Sequence, residues 1–324
     1  MNIENSEAST LFDENVDEGS TRIQKSIIRT AKYNRLGTDD SECSYAIPNS
    51  LPSPIAYPLY SKKFSKMIRS QAFEKGDILK RDDINEIIHT LSAKAEFEGE
   101  NLDVYQRVGP SKNGGVEIDL GSNDASRVVI EEGNVGILNS GGHSVFKRSA
   151  TTLPLPIPAK NGDWKLLLPY LNMSEVHQLL LIAWVTYILS HPKAASVGYV
   201  ILVAKGEQGS GKSFLCKSIL RALVDNDSTG IQAFPLNTKA LAISGQNKLV
   251  LIFDNIRSLS KDQSDTLCIM STSGSKSDRE LYTNADEYVL KMHSPLVLNG
   301  IHGFVTESDL ASRCLNVQLL PIDE

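Results

Sequence analysis

The chain has 324 residues, of which 41% are hydrophobic and 22% charged, and a formal net charge of −6. That apolar content supports a real core and the length accommodates two domains. Its longest strongly apolar run, residues 179–189, is too short to cross a bilayer, so no membrane partner is expected. The N-terminus is acidic and has no apolar segment of the kind a secretory signal needs. Cys43, Cys216, Cys268 and Cys314 show no metal or disulfide spacing, and the six histidines form no cluster, which points to four reduced thiols in a cytoplasmic setting and no structural metal.

The net charge hides a strong asymmetry. Residues 1–18 carry six acids and no Lys or Arg, leaving 33 acidic against 33 basic groups in the remainder. Arg22, Lys25, Arg29, Lys32 and Arg35 follow at helical spacing, forming one basic stripe beside Ile23, Ile27 and Ile28. Two readings stay open for this stripe: a solvated arm, or a helix that binds DNA or a protein partner. Residues 1–50 are polar and poorly periodic, so an acidic then basic mobile arm is expected, and Leu51-Pro52-Ser53-Pro54 reads as its linker.

A small mixed α+β region is expected over residues 51–158. Helical spacing of Leu59, Phe64, Met67 and Ile68, then of Ile84, Ile87, Ile88 and Leu91, gives way to short alternating β-like pieces over 116–137. The alternating prolines of 153–158 form an extended connector. Residues 159–198 then read as a helical collar, apolar on most sides over 164–189 and therefore enclosed between neighbours.

The most informative segment lies in residues 199–324. Tyr199 to Ala204 is a buried strand, and behind it stands Gly206-Glu207-Gln208-Gly209-Ser210-Gly211-Lys212-Ser213. The glycines let successive backbone N–H groups face phosphate, and the following helix adds its dipole. Lys212 is placed to reach the β- and γ-phosphates and Ser213 to hold Mg²⁺. Leu215, Ile219, Ala222 and Leu223 form the apolar stripe of a helix packed on a sheet. ATP and Mg²⁺ are the expected ligands.

Thirty-six residues after Lys212, the run 248–255 is a second buried strand, ending in Asp254, a carboxylate suited to orienting the metal. Ser260 and Gln263 then make a capping box at the start of a helix. Residues 274–288 read as a hairpin with Lys276 and Arg279 near its start, either an ordinary solvated turn or a source of cations for nucleic-acid phosphates. Leu296 to Asn299 is a third strand with a polar end that can orient a water, and Arg313 follows fourteen residues later, as a surface ion pair or as a cation presented to a neighbouring subunit's phosphate.

The order of the phosphate loop, Phe253-Asp254-Asn255, Arg279-Glu280-Leu281-Tyr282-Thr283, Leu298-Asn299-Gly300-Ile301 and Asp309-Leu310-Ala311-Ser312-Arg313 resembles the superfamily 3 helicase-like AAA+ ATPases of phages and integrated mobile elements. The resemblance is strong over 164–321 and weaker over 57–157. It implies an α/β P-loop NTPase of AAA+ type, three-layered with a mostly parallel sheet, assembling as a homo-oligomer, a hexameric ring with ATP between subunits. It further implies Asn299 as sensor, Arg313 as a finger acting in trans, and the 274–291 hairpin as the element touching single-stranded DNA, with a primase or other replication protein as a further partner. The function so implied is a helicase-like motor in mobile-element replication. The alternatives are an ATP-dependent initiator or loader without unwinding activity, and a small-molecule kinase. Three departures stand out: Asn255 replaces the glutamate that serves most such enzymes as base, leaving the base unassigned; Ser273-Gly274-Ser275-Lys276 is less glycine-rich than the family's hairpin; and no helical lid is expected before Glu324.

Overall fold

The computed structural model describes residues 20–194, 196–235, 238–272, 274–279, 287–300 and 303–322. The chain divides into two compact units, Met1–Val104 with Ser140–Lys147, and Tyr105–Asn139 with Arg148–Glu324.

The first unit is a layer of three helices on one face of a six-stranded sheet. Helix Arg22–Tyr33 starts at a capping box, in which Thr21 Oγ1 accepts from Gln24 N and Gln24 Oε1 accepts from Thr21 N. Strands Asn34–Thr38, Ser44–Pro48 and Ile55–Pro58 follow as an antiparallel run. Side chains alternate across this sheet with period two. Ala46 therefore joins Ile27, Phe64, Ile68, Ile87 and Leu91 beneath the helices, while Tyr45 and Ile47 gather with Ala56 and Leu102 in a separate cluster. Helices Lys62–Phe73 and Arg81–Glu98 complete the layer, the first capped by Ser61 Oγ accepting from Phe64 N at 3.1 Å.

Two expectations on organisation need correction. Residues 22–48 are a helix and two strands rather than a mobile arm, because Ile27, Leu36, Tyr45, Ala46 and Ile47 are all buried; the linker residue Ser53 is itself 1% exposed. The apolar positions lie in short runs between polar residues, which hid their periodicity. Residues 51–158 likewise do not form one region, since 105–139 belongs with the second unit. There the strands Val108–Pro110, Val116–Asp119, Arg127–Glu131 and Asn134–Leu138 make an antiparallel meander. Its last turn has Glu132 at φ 48° and Gly133 at φ 79°, the left-handed pair that tight hairpins require.

The second unit is built on four parallel strands in the order Leu251–Phe253, Leu296–Asn299, Ile201–Lys205, Cys314–Gln318. We call them the acid, asparagine, loop and final strands. Gln232 adds a parallel bridge to Phe253 outside the acid strand. Each strand buries alternate residues on opposite faces. Leu202, Ala204, Ile252, Val297 and Val317 pack with the helical segment 212–223, helix Glu175–Ser190 and the meander; Ile201, Val203, Leu251, Phe253, Leu296 and Leu298 pack with helices Thr238–Asn247 and Lys261–Ser271. A sheet covered on both faces explains the near-continuous apolar runs in the sequence. Residues 212–223 contain a π turn at Leu215–Leu220. The expected helix over 164–189 is interrupted: Pro169 lies in a 3₁₀ turn, Trp164–Tyr170, and the α-helix begins only at Glu175. Nor is it enclosed, since Leu181, Trp184 and Ile188 are buried while Leu166, Val176 and Leu179 are exposed.

A buried polar network joins the meander to the parallel sheet. Arg107, 3% exposed, donates from Nε to Asp225 Oδ1 at 3.0 Å and from its other nitrogens to the carbonyls of Asp119, Leu153 and Asn226. The second carboxylate oxygen of Asp225 accepts from Leu249 N and Val250 N, and Arg221 donates to the Val250 carbonyl. Removing one partner of such a pair strands the other in low dielectric. Arg107→Ala should lower unfolding free energy by about 3–5 kcal/mol, whereas Arg35→Ala, at the exposed pair with Glu100, should cost about 1 kcal/mol or less. Equal midpoint shifts for both variants in urea denaturation would contradict this ranking.

His293 gives a pH-dependent test of the same unit. Its Nε2 donates to the Val197 carbonyl at 2.7 Å and its ring lies 4.9 Å from that of Tyr199. Burial, aided by nearby Lys193, pulls its pKa down from 6.5 to about 4. The unfolded chain therefore takes up this proton first as pH falls. Stability present above about pH 6.5 should decline toward pH 4, and the decline should be shallower in His293→Gln when denaturation midpoints are compared across that window.

Candidate functional site

The loop, acid and asparagine strands run parallel and end at one edge of the sheet. Ala204 is in register with Asn299, and Phe253 with Leu298, so Asp254 emerges beside Asn299. There they border a cavity of about 490 Å³, lined by residues 208–214 with Asp254, Asn255, Asn299 and Gly300. Of the sequence-expected residues, Gln208, Gly209, Ser210, Gly211, Lys212, Ser213, Asp254 and Asn299 are brought together here. Gly206 and Glu207 form the base of the loop, through their carbonyls.

The loop's shape depends on its glycines. Gly209 and Gly211 sit at φ 83° and 87°, and a Cβ at Gly206 would stand 2.5 Å from Ser210 Oγ and 3.2 Å from the Leu319 carbonyl. Within this turn Lys212 is only 8% exposed; its Nζ donates to the Gly206 carbonyl at 2.8 Å, the Glu207 carbonyl at 2.5 Å and Ser210 Oγ at 3.3 Å. Burial lowers its pKa while the Asp254 carboxylate opposes that shift. Asp254 links the other two groups. Its Oδ2 accepts from Ser213 Oγ at 3.2 Å; its Oδ1 accepts from Asn299 Nδ2 at 2.5 Å and from Asn255 N at 2.8 Å. Asn255 itself is left-handed at φ 56°, a conformation asparagine tolerates better than most residues. Beneath the site Cys216 is fully buried, and burial, reinforced by Asp254, pushes its thiol up to about 12.

Arg313 lies elsewhere. The Ile201 N–H donates to the Arg313 carbonyl at 2.9 Å, which fixes the arginine at the start of the loop strand, whereas the glycine loop leaves its far end. Five residues at about 3.3 Å each separate the two edges by roughly 16 Å. The guanidinium, 35% exposed, is held by Asp309 Oδ1 at 3.0 Å, an i,i+4 pair, and its pKa is raised by hydrogen bonding with the Cys268 thiol and by Asp309. Lys276 and Arg279 stand on strand Gly274–Arg279, which pairs antiparallel with Glu287–Met292, Lys276 opposite Leu290 and Arg279 opposite Glu287. Glu280 and the rest of the expected hairpin tip, 280–286, lie outside the described residues, as does Ile301.

Sequence reasoning missed Phe214 and Asn172 around the cavity, and it named Gly300 within a motif without giving it a role. Phe214, 52% exposed, puts an aromatic ring on its wall; its position directly after the loop serine was the available signal. Asn172 Nδ2 donates to the Ser210 carbonyl at 3.3 Å and the Leu320 carbonyl at 2.7 Å, bracing the loop from a segment with no motif at all. Gly300 has no room for a side chain, because a Cβ there would come within 2.5 Å of the Ile256 carbonyl and the Phe304 ring. Among the described residues no group of His, Cys, Asp and Glu has the makings of a metal site by itself. No helix of the described residues is long and apolar enough to cross a membrane.

Against this geometry, residues 165–321 match the family described as actinomycete integrative conjugative element replication protein. No curated protein matches the chain. Among solved structures, the A form apo structure of the NrS-1 C-terminal region is 13% identical with a TM-score of 0.44, and the apo structure of NrS-1 305–718 is 14% identical at 0.43. Each alignment covers 93% of this chain but 62% of the other, so the chain spans less than two thirds of the structures it matches.

Proposed function

We propose that the chain is an ATP-hydrolysing, ring-forming AAA+ protein of superfamily 3 type that acts on DNA during replication of an integrated mobile element. The observation that carries this reading is the Asp254 carboxylate, shared between Ser213 of the glycine loop and Asn299 of the neighbouring strand, at the floor of the cavity. The match over 165–321 to a replication protein of conjugative elements supports the biological setting.

The residues present suit Mg²⁺–ATP. Lys212 now satisfies its ammonium with loop carbonyls, partners it can exchange for phosphate oxygens. Ser213 and Asp254, already 3.2 Å apart, pair a hydroxyl with a carboxylate as oxygen donors for a hard cation. Phe214 offers a flat apolar wall. Bound there, Mg²⁺–ATP supplies a phosphoanhydride whose hydrolysis releases ADP and phosphate. Asn299 fixes the orientation of Asp254 through a charge-assisted hydrogen bond.

Arg313 cannot serve its own cavity from the opposite sheet edge, so a role in the reaction requires a second copy. Its exposed i,i+4 pair with Asp309 is worth only about 0.3–0.5 kcal/mol and yields readily to a phosphate. A second reading, a loader that assembles on ATP but turns it over slowly, is favoured by one feature: among the described residues Asp254 is the only carboxylate lining the cavity, and Asn255 carries no base.

Lys212→Ala should abolish ATP hydrolysis and leave the fold intact, as read by phosphate release and circular dichroism. Arg313→Ala should lower turnover by about 10³, and mixing it with Lys212→Ala should restore part of the activity, since some interfaces then join an intact loop to an intact arginine. Failure to recover in mixtures shown to co-assemble would reject action in trans. Replacing Lys276 and Arg279 with Ala should make the salt dependence of DNA binding shallower, by about 0.7 in log–log slope for each phosphate that is no longer neutralised. An unchanged slope would remove the hairpin from the DNA path.

A further inference from the structure

The first unit segregates its charge. Helix Arg22–Tyr33 carries Arg22, Lys25, Arg29 and Lys32, and helix Lys62–Phe73 carries Lys62, Lys63, Lys66 and Arg69; neither contains an acid. The third helix, Arg81–Glu98, holds Asp82, Asp83, Glu86, Glu96 and Glu98. Some of the cations are neutralised: Arg22 by Asp83 at 3.0 Å, and Arg35, just beyond the first helix, by Glu100 at 2.7 Å. Lys25, Arg29 and Lys32 on one helix, and Lys62, Lys66 and Arg69 on the other, have no ion-pair partner among the described residues.

These six cations lie on the outward side of the helical layer. The first helix turns Ile27 and Thr30 to the core, the second turns Phe64, Ile68 and Ala72, and the two helices pack against each other. With 3.6 residues per turn, Lys25, Arg29 and Lys32 fall opposite Ile27, and Lys62, Lys66 and Arg69 fall opposite Phe64 and Ile68. The second stripe continues at i+11 to Phe73, a ring 75% exposed, and Tyr33 at the end of the first helix is 57% exposed. Two further facts set this surface apart from an ordinary solvated face. Both helices open with cations and lack any acid in the first turn, the reverse of what the helix dipole favours. And a large aromatic ring stands in water at the end of a row of unpaired cations.

We propose that the outward face of helices Arg22–Tyr33 and Lys62–Phe73 is a binding surface for single-stranded nucleic acid, with the six cations tracking phosphates and Phe73 stacking on an unpaired base. Cation rows combined with exposed rings are how proteins hold single strands without sequence preference. The surface is distinct from the Lys276 and Arg279 hairpin, lies in the other unit, and does not depend on the nucleotide site.

The test uses the full chain without ATP, in a background carrying Lys276→Ala and Arg279→Ala, so that its outcome is independent of the ATPase and hairpin assignments. Binding of a fluorescent oligothymidylate is measured against salt. Changing Lys25, Arg29 and Lys32, and separately Lys62, Lys66 and Arg69, to Gln should reduce the log–log slope by about 0.7 for each phosphate left without its cation. Phe73→Ala should weaken binding roughly 5- to 150-fold at constant slope, while Phe73→Tyr retains it. Unaltered melting curves establish that the outward-facing variants fold. Unchanged affinity and slope in both glutamine variants would overturn the proposal. So would a preference for duplex DNA or anionic phosphatidylserine vesicles that is indifferent to Phe73→Ala, because cations alone would then account for the binding.

Discussion

A parallel sheet buried on both faces leaves its strand ends as the place where polar chemistry can be displayed. In the second unit every residue of the loop strand from Ile201 to Ala204 is buried, as are the whole of the acid and asparagine strands. Their polar side chains therefore concentrate where the strands stop. Parallel alignment does the rest, because it stops three strands at the same edge. Lys212, Asp254 and Asn299, separated by more than eighty residues of sequence, meet there without any of them having to reach. Placing the asparagine strand between the loop and acid strands is what puts Asn299 within hydrogen-bonding distance of Asp254.

The same constraint accounts for what could be read in advance. A strand covered on both sides must be apolar throughout, so residues 199–204 and 249–253 announced themselves, and the first polar residue after each run marked the edge. The glycine loop was legible for a different reason: its backbone cannot close on other residues, and a Cβ at Gly206 would collide with Ser210. Asn255 was visible as a departure, although its left-handed backbone was not.

What escaped was mostly carried by interactions between residues distant in sequence. Arg107, Arg221 and Asp225 look like unremarkable charges, yet they are buried and tie the meander to the sheet. Nothing local distinguishes a charge that will be buried with a partner from one that will be solvated. The first unit was misread for a related reason. Its strands are two to five residues long, and so short a stretch of alternation as Tyr45-Ala46-Ile47 reads as noise until its neighbours on the sheet are known. The basic stripe from Arg22 to Arg35 was recognised, but its companion on the second helix was not, because only the packed layer puts the two side by side.

The final strand has a property that neither of its ends reveals alone. At its start the Arg313 carbonyl is clamped by the Ile201 N–H, and just past its end the Leu319 N–H is clamped by the Lys205 carbonyl, with the Leu319 carbonyl directly under Gly206. One stiff ladder of paired backbone thus spans the full depth of the sheet, from the arginine at one rim to the floor of the glycine loop at the other. Such a ladder has little freedom to stretch or slip register. The position of the Arg313 backbone is therefore tied, residue by residue, to the backbone on which Gly206 is seated.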